Sequence, residues 1–314
     1  MFSLIFPGQG SQAVGMCKDL YENFDLVKKL FNEANEILKF PISKIILEGP
    51  KDQLDLTENT QPAIFLVGYS IYSVMSKELK ADTNRYLYFA GHSLGEYTAL
   101  ASAGYISFED TIKILKIRGS AMQSSIPKGE GGMLAVLGSK IEIIEKLIFE
   151  NKSNYECFVA NDNSDGQIVV SGKNEDLKKF SYDLKKQAIK NIKLAVSAPF
   201  HCKLMAKATE IMKAEIEKLN ITQSDRFIIS NVTGKKTNNI SEIKDLLIKQ
   251  IESRVRWRES VEYMIENGTK NFIEIGPGKV LSGLIKRINK TVKVNAINTE
   301  ADINTFKETN GFQR

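Results

Sequence analysis

The hydrophobic and polar positions of the chain alternate between two periods. Short apolar runs of four to seven residues are interleaved with longer segments in which apolar residues recur every three or four positions. Ser3–Phe6 and Tyr86–Ala90 read as buried strands, and Phe24–Leu38, Thr60–Leu79, Glu96–Ala103 and Phe108–Gln123 as helices. Strands alternating with helices predict an α/β fold with a mainly parallel sheet. The pattern changes in the middle. Gly132–Leu137 (strand), Ile141–Phe149 (helix), Glu156–Asn161 and Gln167–Ser171 (strands), Leu177–Gln187 (helix) and Ile189–Val196 (strand) give the order β-α-β-β-α-β, the ferredoxin-like pattern. A small subdomain at 127–197 is therefore expected, inserted into a major domain made of 1–126 and 198–314. Beyond it, Cys202–Leu219 is predicted to be one long helix, and Arg226–Val232, Asn271–Ile275 and Val292–Ile297 to be strands. Residues after about Glu300 carry no pattern and are expected to fray.

Composition narrows the picture little. The 314 residues are 42% hydrophobic and 26% charged, as in an ordinary globular enzyme with a sizeable core. No apolar run reaches the ~20 residues of a membrane span, and Met1–Phe6 is too short and uncharged for a signal peptide. A cytoplasmic or organelle-stroma location is the expectation. The net charge of +5 suits a solvated lysine-rich surface rather than nucleic-acid binding, and could favour an acidic protein partner or phosphorylated substrates. Cys17, Cys157 and Cys202 have neither disulfide nor zinc-site spacing, so reduced thiols and no metal are expected.

The strongest chemical signal is Gly91-His92-Ser93-Leu94-Gly95, a G-x-S-x-G segment between an apolar strand and a helix. In such an elbow the flanking glycines relieve crowding, and Ser93 is presented as a nucleophile above a helix N-terminus. A serine needs a base. The chain holds two histidines, His92 and His201. His92 is adjacent to the serine and should point elsewhere, in a structural role. His201, in the loop opening the predicted long helix, is the candidate base, kept neutral by that helix's N-terminus. No Asp or Glu stands out as a third triad member. A dyad is possible if a backbone carbonyl or an amide fixes the imidazole tautomer. On the helix through Ile112–Met122, at about 100° per residue, Lys113, Lys116 and Ser120 share a polar face. Arg118 lies opposite, among Ile114, Leu115, Ala121 and Met122. A guanidinium there must be paired, by an internal salt bridge or by a substrate carboxylate held bidentately.

Phe6-Pro7-Gly8-Gln9-Gly10-Ser11-Gln12, Gly91-His92-Ser93-Leu94-Gly95-Glu96-Tyr97, Arg118-Gly119 and Phe272-Ile273-Glu274-Ile275-Gly276-Pro277-Gly278 together resemble the malonyl-CoA:acyl carrier protein transacylases of type II fatty acid synthesis, over residues 3 to 297. The resemblance implies an α/β-hydrolase-like major domain with a ferredoxin-like insertion. It implies Ser93 as the acyl-accepting nucleophile, His201 as base, and the backbone carbonyl of Gln250 orienting the histidine. It further implies an oxyanion hole from the amides of Gln9 and Leu94, malonyl-carboxylate binding by Arg118, and Asn161 facing the cleft. Malonyl-CoA and acyl carrier protein become the expected substrates and partners, with no tightly bound cofactor and a monomer. Two positions depart from the family pattern: Phe200, where many bacterial members carry a small residue, and Arg254, where proline is frequent. Phenylalanine before the histidine resembles the malonyl-selective acyltransferase domains of polyketide synthases. The competing readings are a serine thioesterase or esterase on a related fold, and a catalytically idle binding module for acyl carrier protein.

Overall fold

A computed structural model of the chain describes residues 2–78, 86–196 and 198–310. In chain order its strands are β1 (Phe2–Phe6), β2 (Tyr86–Gly91), β3 (Gly131–Leu137), β4 (Cys157–Ser164), β5 (Gln167–Lys173), β6 (Lys190–Lys193), β7 (Phe227–Ile229), β8 (Lys236–Thr237), β9 (Asn271–Ile275) and β10 (Lys293–Ile297). Among the described residues they form two sheets. The larger has the order β10-β9-β1-β2-β7-β8, and the smaller β4-β5-β3-β6.

The larger sheet is parallel throughout except for β8, which pairs antiparallel to β7. Its central strand β1 is buried along its whole length, so the run Phe2–Phe6 is apolar on both faces apart from Ser3, whose hydroxyl bonds that of Thr269 at 2.7 Å. Helices cover both sides. Thr57–Ser73, Leu94–Ser102 and Phe108–Ser124 pack on one face with Phe6, Phe65, Tyr97 and Leu115 in the core. Trp257–Glu266 and Val280–Ile288 cover the other face, around Ile5, Trp257 and Phe272. The smaller sheet is fully antiparallel and packs its own helices, Ile141–Glu150 and Asn174–Lys186, over Val136, Val170 and Phe180.

Several elements differ from the sequence expectation. The predicted helix Thr60–Leu79 starts earlier, at Thr57, and loosens into a wider π-type turn over Val74–Glu78; Leu79 lies outside the described residues. The long helix predicted from Cys202 begins only at Ala206, after a 3-10 turn at Lys203–Met205. His201 stands at φ 58°, which a helix cannot continue through. Edge strand β6 stops at Lys193, short of the predicted Val196, although Leu194 adds one more bond to Met133 at 3.0 Å. β7 ends at Ile229 because the chain turns at Ser230–Gly234 and returns as β8. The C-terminal stretch is a helix, Glu300–Asn310, rather than a frayed end. Its Ile303 and Phe306 are buried, and the Phe306 ring meets Phe2 edge-on at 6.0 Å.

Four loops of the parallel sheet meet at its carboxyl edge. The loop after β1, the elbow after β2, the turn after β7 and the loop after β9 lie together there, where ligands bind in open α/β sheets. The smaller sheet is clasped to the same edge. Val255 inserts beside Asn161 as a parallel bridge, with Asp162 N–H on the Val255 carbonyl (3.0 Å) and Val255 N–H on the Ala160 carbonyl (2.8 Å). Arg258 forks onto the buried Asp162 carboxylate at 2.9–3.2 Å, and Arg254 reaches Glu145 at 2.6 Å. Arg254, unusual for the pattern it otherwise follows, thus bridges the two sheet systems.

Candidate active site

The elbow forms because the backbone there leaves no room for side chains. A Cβ on Gly91 would stand 1.9 Å from the Gly95 carbonyl carbon, and one on Gly95 would stand 2.2 Å from the Phe6 carbonyl oxygen. The turn is thus pressed against the end of β1, and Ser93 at its apex is held at φ 55°, ψ −109° ahead of helix Leu94–Ser102. Such backbone strain is typically stored at functional sites. Gly8 closes the other side, since its Cβ would lie 2.6 Å from the His92 carbonyl oxygen. That brings the loop Pro7–Gln12 over the elbow. The loop is braced internally: Ser11 Oγ donates to the Gly8 carbonyl and Gly10 N–H to Gln12 Oε1, each at 2.8 Å.

Ser93 Oγ lies 2.8 Å from His201 Nε2, and His201 Nδ1 lies 2.9 Å from the Gln250 carbonyl oxygen. A carbonyl can only accept, so Nδ1 carries the ring proton and Nε2 presents its lone pair to the serine hydroxyl. His201 is buried, and its pKa is pushed down to about 3, chiefly by burial and then by the charge of Arg118; the Gln250 carbonyl opposes this weakly. The imidazole is therefore neutral at physiological pH. The helix N-terminus expected to keep it neutral lies five residues on, at Ala206, and desolvation does so instead.

Arg118 is 1% exposed. It forms no salt bridge among the described residues: Nη1 donates to Gln61 Oε1 (2.8 Å), and Nη2 to Gln250 Oε1 (2.9 Å) and Ser93 Oγ (3.1 Å). Its guanidinium carbon sits 5.5 Å from the centre of the Tyr97 ring. Burial lowers its pKa, while Tyr97 and Glu96 raise it. The cation thus rests on neutral amide oxygens and faces the serine.

A cavity of about 410 Å³ opens above these groups, lined among others by Gln9, Leu94, Arg118, Asn161, Phe200 and His201. The N–H groups of Gln9 and Leu94 donate no hydrogen bond among the described residues. Leu94 is the first residue of its helix, where backbone N–H groups lack intrahelical acceptors. Asn161 reaches the cavity from β4, and Phe200 is anchored by Ser171 Oγ on its carbonyl at 2.6 Å. His92 points away from the serine. Its Nε2 donates to Asn163 Oδ1 at 2.8 Å and its ring packs against Trp257, so it ties the elbow to the smaller sheet.

Sequence reasoning missed three groups. Gln61 supplies an acceptor for Arg118. Asn231 and Glu96 form a buried network behind Ser93, with Gln250 Nε2 on Glu96 Oε2 at 2.7 Å. Burial lifts Glu96 to a pKa of about 7, against the Asn231, Gln250 and Arg118 contacts that lower it. For Glu96 a signal existed, because an acidic residue within the first turn of a buried apolar helix needs partners. By contrast, Glu274 in the Phe272–Gly278 motif is a helix cap, accepting from Leu281 N–H, Ser282 N–H and Ser282 Oγ. The three cysteines are buried and unbridged, with thiol pKa values pushed up by burial.

A serine hydroxyl on a neutral imidazole, two free N–H groups nearby and a buried cation can together perform acyl transfer. A family model described as an acyl transferase domain matches residues 3–312. Malonyl CoA-acyl carrier protein transacylase of Bacillus subtilis is 40% identical over 315 residues, covering 98% of each chain. The crystal structure of acyl-carrier-protein-S-malonyltransferase from Bartonella henselae superposes with a TM-score of 0.95 at 39% identity, covering 99% of each chain. A malonyl-transacylase solved in complex with a type II PKS acyl-carrier protein gives a TM-score of 0.93 at 35% identity, covering 98% of this chain and 99% of that one. The chain belongs to the acyl transferase family, and within it to the malonyl-CoA:acyl carrier protein transacylases.

Proposed function

We propose that the protein moves a malonyl group from malonyl-CoA to the phosphopantetheine thiol of acyl carrier protein, through a malonyl ester on Ser93. The observation that carries this reading is the Ser93–His201–Gln250 carbonyl chain set beside a buried, unneutralised Arg118. His201 Nε2 takes the hydroxyl proton as Oγ attacks the thioester carbonyl. The tetrahedral oxygen is received by the N–H groups of Gln9 and Leu94, donors of a kind typically worth ~3–4 kcal/mol each. The C–S bond breaks, and the coenzyme A thiolate leaves with the proton from Nε2. The carrier thiol then gives its proton to Nε2 and attacks the ester, and Ser93 Oγ leaves and recovers that proton. The scheme is ping-pong and draws on no tightly bound cofactor or metal.

Arg118 receives the free malonyl carboxylate. Its Nη2 now donates to Ser93 Oγ, so a carboxylate that takes this donor brings its thioester end close to the nucleophile. Asn161 and Phe200 shape the wall opposite. The fold is read as an α/β-hydrolase-like unit (1–126 and 198–314) with a ferredoxin-like insertion (127–197). The sheet order β4-β5-β3-β6 and the parallel order of β10-β9-β1-β2-β7 support this. The protein is further read as a cytoplasmic monomer that serves fatty acid chain elongation; no helix among the described residues is long and apolar enough to cross a membrane.

Intact-protein mass spectrometry after mixing with malonyl-CoA tests the proposal. A malonyl adduct is expected on the native protein and none on Ser93→Ala; an adduct that persists on the variant refutes the assignment. Release of free malonate in preference to transfer to a pantetheine thiol would instead identify a thioesterase.

A further inference from the structure

Ser93-Leu94-Gly95-Glu96 has the S-x-x-E spacing of a capping box. There the first hydroxyl normally accepts from the third helical N–H, and the glutamate reaches back to the serine N–H. Neither half of that exchange is made. Ser93 Oγ makes no cap bond, being committed to His201 and Arg118. The Glu96 carboxylate has turned away, and its Oε2 accepts from Asn231 N–H (3.1 Å) and Gln250 Nε2 (2.7 Å). The Ser93 N–H left over by this diversion goes to Asn231 Oδ1 at 2.7 Å, while Asn231 Nδ2 donates to the Gly91 carbonyl at 2.7 Å. One side-chain amide therefore spans the turn from its entry to its apex. Asn231 is 1% exposed and sits just past β7, fixed by Arg256 N–H on its own carbonyl at 3.0 Å. It lies behind the elbow, outside the cavity lining.

We propose that Asn231 is a positioning residue for the nucleophile: its amide, backed by Glu96 and Gln250, replaces the missing capping box and holds the left-handed turn that keeps Ser93 Oγ on His201. The inference rests on the reading of Ser93 as nucleophile. It also sorts the amides of the turn. With the Ser93 N–H consumed by Asn231, the donor left for a tetrahedral oxygen is the next one, Leu94. Loss of the amide leaves the Ser93 N–H and the Gly91 carbonyl without partners in a dry site, and the turn relaxes towards an ordinary helix start. Substrate binding, which Asn231 does not touch, should be unaffected.

The test compares wild type, Asn231→Ala and Asn231→Asp in single-turnover acylation by malonyl-CoA, alongside malonyl-CoA affinity on a Ser93→Ala background. Asn231→Ala is expected to slow acylation by roughly 100-fold, as for loss of a transition-state alignment, with affinity essentially unchanged. Asn231→Asp keeps the acceptor for Ser93 N–H but sets a second carboxyl against Glu96, with Arg118, Tyr97 and His201 as the surrounding titratable and charged groups. Two such carboxyls share a proton. The Asp variant should therefore recover towards wild type as the pH falls from about 8 to about 6, a signature that simple loss of packing does not produce. Acylation of Asn231→Ala at the wild-type rate overturns the proposal, as does an Asp variant whose deficit is the same at every pH. Absence of any acyl group on wild-type Ser93 removes the nucleophile reading, and this inference with it.

Discussion

Replacing Arg118 by alanine should invert the donor preference of the enzyme rather than simply impair it. The guanidinium is 1% exposed and balanced by amide oxygens instead of a carboxylate, so its charge is available to a ligand. A charge-assisted hydrogen bond contributes ~1.5–3 kcal/mol. A bidentate pair in a site this dry therefore contributes roughly 3–5 kcal/mol, or about two to three and a half decades in kcat/KM for a malonyl donor. An acetyl donor has no carboxylate and forfeits none of this. It gains room, and loses an N–H that would otherwise compete for Ser93 Oγ at 3.1 Å. Acetyl transfer should hold or rise. Gln61 Oε1 and Gln250 Oε1 lose their donor, which costs about 1–3 kcal/mol each in stability, so denaturation must be measured alongside. Arg118→Lys provides the finer comparison, because a point charge cannot span the fork that a carboxylate presents. The assay is transfer from malonyl-CoA and acetyl-CoA to a pantetheine thiol, expressed as a ratio. Equal losses for both donors, with stability retained, would refute the carboxylate assignment.

Three further outcomes follow from the same geometry. His201, the proposed base, titrates at about 3 in the folded protein against ~6.5 in a free imidazole, so the acid limb of kcat/KM should lie well below pH 6; a limb near 6.5 would mean His201 is not desolvated as described. For stability, the unfolded chain protonates His201 first as pH falls, so its contribution is lost between ~6.5 and 3. Glu96, raised to about 7, works in the opposite direction and contributes stability below its unfolded value of about 4.5 that is lost as pH rises towards 7. The His201 contribution cancels between wild type and Glu96→Gln, so the difference in their denaturation midpoints should shrink as pH rises from about 4.5 to about 7, and a constant difference would contradict the buried, protonated carboxyl. Gly95→Ala places a Cβ 2.2 Å from the Phe6 carbonyl oxygen. Overpacking against backbone should cost at least ~3 kcal/mol, read as a fall in Tm of about 5 °C or more; an unchanged Tm would show that the elbow is not clamped to β1.

What could be read in the sequence was whatever left a local mark. Gly91 and Gly95 exist because two backbones nearly touch, and close approach always leaves glycine behind. Arg118 was legible as a buried cation because helical rotation alone puts it among Ile114, Leu115, Ala121 and Met122. His201 stood out by scarcity, yet its conformation did not; the left-handed φ that delays its helix is imposed by tertiary contacts. Asn231 and Gln61 were invisible for a related reason. Their partners lie 138 and 57 residues away, and an asparagine after a strand or a glutamine in a helix carries no pattern to mark it. The helix Glu300–Asn310 was missed because few of its residues are apolar, and only contact with β1 shows that Ile303 and Phe306 are enough to hold it.

The clasp between the two sheets has a consequence for recombining this enzyme with its relatives. By connectivity the smaller sheet is an insertion, and a chimera would naturally be cut at its two linkers. Its seat, however, is encoded elsewhere: Val255 is woven into β4, Arg258 grips Asp162 and Arg254 holds Glu145. The same short segment begins just after Gln250, whose carbonyl accepts from His201 Nδ1 at 2.9 Å. A swapped insertion that leaves residues 251–258 behind would inherit a foreign seat a few residues from the histidine's anchor. The exchangeable unit is therefore discontinuous, and residues 251–258 must travel with an insertion they do not belong to in chain order.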